Sequence, residues 1–258
     1  MSAGYRITQL ILGLMGFSAL EASADSLLIA VASNFTETAQ EIATEFRVAS
    51  GHDVRISGAS TGKLFVQIRN GAPFDILLAA DSARPARLES SGHGVRNSRF
   101  TYAIGQLVLW SRNPAIEPSN CREHLQHLGS DRVAIANPET APYGAAARQT
   151  LIRLKLWTRV RPRLVIGENI AQTLQFVASG NASLGFVAKS QIRSARLPEA
   201  SCSWDVSPEL HDPVEQQAIL LERAVNNPTA HAFLKFLRSD PGRAIIARNG
   251  YLLVARDH

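Results

Sequence analysis

The chain has 258 residues, of which 45% are hydrophobic, 7% aromatic and 19% charged, and its formal net charge is +5. This length allows one large domain or two modest lobes, each with its own core. The positive charge is spread along the chain without a dense Lys/Arg block, which argues against a nucleic-acid-binding protein and suits the attraction of small anions.

The N-terminal segment has the parts of a secretory signal peptide. Arg6 gives a weakly positive start, residues 7–20 form an apolar stretch, and residues 22–24 (ASA) match an A-x-A cleavage site. A membrane anchor is the alternative, but the stretch is short for a bilayer span, and no cysteine follows it to anchor a lipoprotein. We therefore expect a signal peptide over residues 1–24, its cleavage, and export to the periplasm.

Short apolar runs alternate with helical patterns along the remaining chain. Strands are predicted over residues 27–32, 53–57, 75–80, 102–110, 132–136, 164–166, 184–188, 204–206 and 216–221, and helices over residues 35–46, 64–70, 142–156, 170–178, 229–237 and 241–247. Strands that alternate with helices of this length indicate βαβ units and mainly parallel sheets. The predicted fold class is α/β, which alone does not identify a function.

The chain has two cysteines, Cys121 and Cys202. In an oxidising compartment a single pair favours one disulfide. Cys121, His124 and His127 are spaced three residues apart, but side chains at that spacing drift around a helix and no second cluster of ligands accompanies them. No site for a free metal cation is therefore predicted.

Four strand-to-helix junctions carry hydroxyl, amide or glycine residues: residues 33–34 (SN), 60–62 (STG), 137–144 (NPETAPYG) and 167–170 (GENI). Any one of them is explained by N-capping, which satisfies free backbone N–H groups. Together they indicate several helix N-termini converging on one anion, because each supplies free N–H groups and the positive end of a helix dipole. In doubly wound folds, ligands bind beyond the carboxyl ends of the strands.

The second junction also matches two enzyme motifs. Residues 58–63 (GASTGK) are similar to a P-loop, but they are one residue short between the glycines and no Ser or Thr follows the Lys. The pattern G-x-S-x-G around Ser60 matches the nucleophile elbow of a serine hydrolase. Only one strand precedes this one, whereas that fold takes an oxyanion donor from an earlier loop. The later His211, His231 and His258 lie in no context that marks a catalytic base.

The junction sequences together resemble the substrate-binding components of molybdate ABC transporters. The resemblance covers essentially the whole mature chain and rests on residues 31–35 (VASNF), 59–62 (ASTG), 71–81 (GAPFDILLAAD), 137–139 (NPE), 142–144 (PYG), 167–170 (GENI), 184–188 (LGFVA) and 249–251 (NGY). It implies a type II periplasmic binding protein, in which two doubly wound α/β lobes joined by two extended crossovers close over the ligand.

The resemblance also implies lobe boundaries. Lobe 1 would contain residues 25–105 and 215–258, and lobe 2 would contain residues 106–214. The crossovers would be residues 102–108 and 215–220. A bond between the two cysteines would then lie within lobe 2.

Six residues match the oxyanion ligands of the family: Ser33, Asn34, Ser60, Thr61, Tyr143 and Ile170. Ile170 would contribute its main-chain N–H. Many members carry a ligand tyrosine where this chain has Ala188, whereas others carry it where this chain has Tyr143. We place the chain in the second group, which leaves a contact of Ala188 with the ligand open. Asp75 and Asp81 also match family positions and are taken as structural.

The function that the resemblance implies is periplasmic binding of molybdate or tungstate for delivery to the membrane permease of an ABC importer. We expect a monomer with no cofactor, no enzymatic activity and no nucleic-acid partner. A binder of another tetrahedral oxyanion, such as sulfate, is the alternative within this class. A periplasmic serine hydrolase using Ser60 and a ligand-sensing domain are the alternatives from other classes. The signal peptide and the lack of a DNA-binding segment argue against the sensor.

Overall fold

The computed structural model describes residues 27–194, 197 and 199–255. The predicted signal peptide and His258 lie outside these residues. The strands are β1 (Leu27–Ala32), β2 (Val54–Ala59), β3 (Ile76–Ala79), β4 (Phe100–Gly105), β5 (Leu107–Ser111), β6 (Val133–Ala136), β7 (Leu164–Gly167), β8 (Leu184–Ala188), β9 (Cys202–Asp205) and β10 (Val214–Leu220). The α-helices are α1 (Thr36–Ser50), α2 (Thr61–Arg69), α3 (Ala83–Ser90), α4 (Cys121–His124), α5 (Pro142–Arg153), α6 (Trp157–Val160), α7 (Ile170–Ala178), α8 (Lys189–Ser194), α9 (Pro228–Arg238) and α10 (Asp240–Arg248).

The strands form two sheets, and each sheet with its helices is called a lobe below. The sheet of the first lobe has the order β2-β1-β3-β10-β4, and that of the second lobe has the order β7-β6-β8-β5-β9. The α/β class and the two-lobe architecture are confirmed. The sheets are mixed rather than mainly parallel, because two of the four pairings in each are antiparallel. Every antiparallel pairing involves either β5 or β10, and each of these two strands adjoins a connection between the lobes.

Two connections join the lobes. Strand β4 passes into β5 through Gln106 alone, so the strand predicted over residues 102–110 is two strands in different sheets. The chain returns over residues 206–213, between β9 and β10. The expectation that residues 215–220 form the second crossover is wrong, since β10 pairs with β3 and β4. An apolar pattern reports that a strand is buried and not which sheet contains it.

The helix boundaries follow local chemistry. Helix α1 ends at Gly51, whose φ of 74° is a left-handed conformation that glycine adopts without strain. Helix α2 begins at Thr61, three residues before the predicted start, because Ser60 is extended and the helix follows it directly. Helix α3 was not predicted. It buries only Pro85 and Leu88 and therefore carries little apolar periodicity.

The core of the first lobe lies on both faces of its sheet. Leu27, Ile29 and Val31 of β1 point toward α1, α9 and α10, whereas Ala30 points toward α2 and α3. This alternation follows from the two-residue period of a strand. The second lobe has its own core, and Ala32 and Ala80 of the first lobe pack within it. The two lobes are therefore in contact in this structure.

The predicted disulfide is confirmed. It joins Cys121 at the start of α4 to Cys202 in β9, with Cα atoms 5.6 Å apart, and both residues belong to the second lobe. The His124 imidazole contacts a carboxylate oxygen of Asp131 at 2.6 Å. Across the residues that the model describes, no helix is long and apolar enough to span a membrane.

Candidate functional site

The four predicted junctions lie at the carboxyl ends of β1, β2, β6 and β7, and contacts between the lobes bring them together. The N–H of Ser33 donates to the carbonyl of Ala59 at 2.9 Å, which joins the first two junctions. The N–H of Gly62 donates to the carbonyl of Thr140 in the other lobe, also at 2.9 Å. The Lys63 ammonium forms a 2.7 Å ion pair with Glu168 of the fourth junction.

Three buried hydroxyls at these junctions have no hydrogen-bond partner within the described residues. They are Ser60 Oγ, Thr140 Oγ1 and Tyr143 Oη. Ser60 is 2% exposed and Tyr143 is 1% exposed. An unpaired buried hydroxyl costs about 1–3 kcal/mol and is uncommon in native proteins. The hydroxyls are therefore donors available to a buried ligand.

The Thr61 hydroxyl is also placed to donate. Thr61 is fully buried at the start of α2, and its Oγ1 accepts a hydrogen bond from the N–H of Ala80 at 3.1 Å. Because this bond uses a lone pair of the oxygen, the O–H hydrogen remains free to donate. The Ala80 contact also fixes the position of the hydroxyl.

Asn34 has a different role from the one expected of a side-chain ligand. Its Nδ2 donates to Gln216 Oε1 at 2.8 Å and to Tyr251 Oη at 3.1 Å. The Tyr251 phenol donates to the Asn34 carbonyl at 2.7 Å, and the Ser190 hydroxyl donates to it at 3.0 Å. Both side-chain N–H donors are thus engaged by the protein. The N-cap of α1 is Phe35, so Asn34 lies before the cap.

Ile170 is buried as the first residue of α7, after Asn169, whose side chain caps the helix by accepting from the N–H of Gln172. An N–H in the first turn has no acceptor within its helix, so Ile170 can offer its main-chain N–H as predicted. The carbonyl of Ile170 accepts from Gln191 Nε2, and Gln191 Oε1 accepts from the N–H of Ala188, both at 3.1 Å. The main-chain N–H of Ala188 therefore donates within the protein and is not available to a ligand.

The Tyr143 phenol lies against the first connection between the lobes. A Cβ built on Gly105 would lie 2.1 Å from Tyr143 Oη and 3.0 Å from Gln216 Nε2, so only glycine leaves room for the phenol. Burial raises the pKa of Tyr143 well above its usual value, and the nearby phenols of Tyr251 and Tyr102 raise this pKa further. These three residues are called the phenol cluster below. Tyr143 keeps its proton near neutral pH and remains a donor.

The aspartates near the junctions are structural, as expected. Asp75 accepts from the N–H of Leu28 at 2.7 Å and pairs with Arg223 at 3.3 Å. Asp81 accepts from the N–H of Arg84 at 2.8 Å and from its guanidinium at 2.6 Å. Both oxygens of each carboxylate are thus engaged within the protein. The candidate ligand groups are hydroxyls and N–H groups and include no carboxylate, which favours a fully deprotonated anion.

The arrangement does not provide the base that a serine nucleophile needs. Ser60 Oγ has no hydrogen-bond partner among the described residues, whereas a nucleophile is activated by a base within hydrogen-bond reach. His211 pairs with the carbonyl of Asp212 and His231 with that of Val225. These contacts engage both imidazoles away from Ser60.

Sequence reasoning missed Thr140, Gln216 and Tyr251. Thr140 falls inside the junction of residues 137–144 and Tyr251 inside a motif that carries the resemblance, but their residue types gave no reason to select them. Gln216 is fully buried near the start of β10. A polar residue at the start of a predicted apolar strand is the one signal in the sequence that could have marked it.

The fold and the site define a class of protein: two lobes that enclose a small solute between donor-rich junctions. Residues 27–252 match the family model described as bacterial extracellular solute-binding protein. The chain belongs to this family.

Among the family's members, the chain is similar to molybdate-binding proteins. It is 41% identical over 255 residues to the molybdate-binding protein ModA of Azotobacter vinelandii, covering 96% of this chain and 98% of that protein. It is 40% identical to ModA of Rhodobacter capsulatus, covering 98% and 96%. The solved structure of the periplasmic molybdate-binding protein of Azotobacter vinelandii matches with a TM-score of 0.83 and 35% identity, covering 89% of this chain and 100% of that chain.

Proposed function

We propose that this protein binds molybdate or tungstate between its two lobes and delivers the anion to the membrane permease of an ABC importer. The observation that carries the proposal is the set of buried, unpaired hydroxyls where helix N-termini of both lobes meet. The similarity to molybdate-binding proteins supports molybdate as the ligand.

The ligand is held by neutral donors. Ser33, Ser60, Thr61 and Tyr143 supply hydroxyls, while Asn34 and Ile170 supply main-chain N–H groups. Hydrogen bonds to a charged oxygen are roughly twice as strong as neutral ones, and helix N-termini add partial positive charge. None of these donors carries a full positive charge. The anion therefore forms no strong ion pair with them that would have to break when the lobes open for release.

The anion is cargo that binds and leaves unchanged. We propose that the protein is a non-catalytic monomer located in the periplasm after cleavage of residues 1–24. Ser60 Oγ contacts no base among the described residues, which supports a non-catalytic role. The signal-peptide pattern supports the periplasmic location. The alternative of a sulfate binder makes the same use of the donors and differs only in the size of the anion that fills the site.

Calorimetry and thermal unfolding of the mature chain test the proposal. A ligand at about a thousand times its dissociation constant adds roughly 4 kcal/mol to the free energy of unfolding. For a chain of this size each kcal/mol moves Tm by about 2–4 °C, so a rise on the order of 10 °C is expected with molybdate or tungstate.

Three results would contradict the proposal in different ways. Unchanged melting and no binding heat with either anion would remove it. Tighter binding of sulfate would support the alternative oxyanion. Labelling of Ser60 by a fluorophosphonate would support the hydrolase.

A further inference from the structure

One main-chain contact joins the lobes at the site. Gly62 is the second residue of α2, and its N–H donates to the carbonyl of Thr140 in the second lobe at 2.9 Å. A first-turn N–H has no acceptor within its own helix, so the other lobe supplies one. Beside it, Arg84 Nη2 donates to the carbonyl of Glu139 at 2.9 Å.

The two lobes approach so closely here that a side chain does not fit. A Cβ on Gly62 would lie 2.9 Å from the Thr140 carbonyl oxygen, 3.0 Å from its Cα and 3.1 Å from its Cβ. The 137–141 segment is fixed by two hydrogen bonds to the carbonyl of Asn137, from the N–H groups of Thr140 at 3.2 Å and Ala141 at 2.9 Å. The obstructing atoms therefore include backbone that cannot rotate away.

The ion pair between the lobes contributes less than this main-chain hydrogen bond. The Lys63–Glu168 pair has side chains that are 46% and 65% exposed. Exposed ion pairs contribute little because water and salt screen them. The buried hydroxyls of Ser60 and Tyr143 can meet a solute only when the lobes part and then close again. In this structure, where the lobes are in contact, the Gly62–Thr140 hydrogen bond is formed.

We propose that Gly62 is a positioning residue for ligand capture, because only glycine at this position allows the second lobe to close on the N-terminus of α2. This inference rests on the proposed function. Replacing Gly62 by Ala leaves every candidate ligand donor in place and holds the two lobes apart. The ligand then escapes faster, although no group that touches it has changed.

The test compares Gly62→Ala with Gly58→Ala in the mature chain. Gly62→Ala loses the contact between the lobes, but alanine is a better helix former than glycine, so the Tm of the ligand-free protein should change little. Its dissociation constant for molybdate should rise about ten- to hundredfold, mainly through faster dissociation, as expected from overpacking by one methyl group. Gly58→Ala is the matched control in the preceding strand. A Cβ at position 58 would lie nearest Thr36 Oγ1, at 2.8 Å, on a side chain that can rotate. The molybdate affinity of the Gly58→Ala variant should therefore stay within about twofold of that of the unmodified protein.

A second measurement separates this inference from the proposed function. The pair Lys63→Cys and Glu168→Cys places cysteines on the two lobes beside this contact, and their cross-linking by a short bifunctional thiol reagent without ligand reports closure. Cross-linking should be slower with Gly62→Ala than without it. Equal cross-linking, unchanged molybdate affinity or a lowered Tm of the ligand-free Gly62→Ala variant would overturn the inference. If the unmodified protein fails to bind molybdate, the proposed function falls while cross-linking still tests Gly62.

Discussion

Replacing Tyr143 by Phe should change stability and affinity in opposite directions. The ring stays, and only a buried hydroxyl without a protein partner is removed. The free energy of unfolding of the ligand-free protein should be unchanged or rise by as much as about 1–3 kcal/mol, because an unpaired buried group is lost. The hydrogen bond to a charged ligand contributes about 1.5–3 kcal/mol, so affinity for molybdate should fall roughly ten- to 150-fold.

Tyr102→Phe is the matched control. Tyr102 is 3% exposed and its hydroxyl is also unpaired, but its ring packs on Phe35 in the core of the first lobe, with ring centroids 4.9 Å apart. The change removes the same chemical group from the same phenol cluster. It should alter the stability of the ligand-free protein similarly and leave molybdate affinity unchanged.

Titration calorimetry and thermal unfolding with and without molybdate measure both quantities on the same samples. Wild-type affinity in the Tyr143→Phe variant would refute the donor role and leave Tyr143 as a packing residue. An equal loss of affinity in both variants would show that the phenol cluster acts on the site as a unit and that Tyr143 is not a specific donor.

Four further outcomes are expected. Thr61→Ala should weaken molybdate binding ten- to hundredfold and also lower Tm, because the N–H of Ala80 loses its acceptor, whereas Ile170→Val should change neither. Affinity should be constant from about pH 6 to 9, because the donors do not titrate there. The free energy of unfolding should fall as pH rises above about 10 in equilibrium denaturation, since the buried phenols have raised pKa values and ionise first in the unfolded chain. Competition titration at neutral pH should show no phosphate binding, because none of the candidate ligand groups is a carboxylate that would accept from its remaining proton; binding comparable to molybdate would contradict this. Thiol titration of the unfolded, unreduced protein should find no free thiol, and reducing the Cys121–Cys202 bond should lower the free energy of unfolding by at most about 4.5 kcal/mol.

The local sequence predicted most of what depends on neighbours along the chain. The apolar run of β1 follows from the burial of a strand in the middle of its sheet, and the Asn169 junction follows from capping chemistry, since its side chain caps α7. The clustering of hydroxyls at strand ends predicted where donors lie. Ser60 and Tyr143 are indeed buried without protein partners, and their role as ligands stays a prediction.

The tertiary structure alone decided which groups meet across the lobes. The apolar pattern could not divide residues 102–110 between two sheets, because both halves are equally apolar, and only the family resemblance placed a lobe boundary between residues 105 and 106. Nor could it show that Gln216 and Tyr251 engage the side chain of Asn34, since these three residues are separated by up to 217 positions. Such contacts depend on how the two lobes pack, and no local pattern of apolar or polar residues records that geometry.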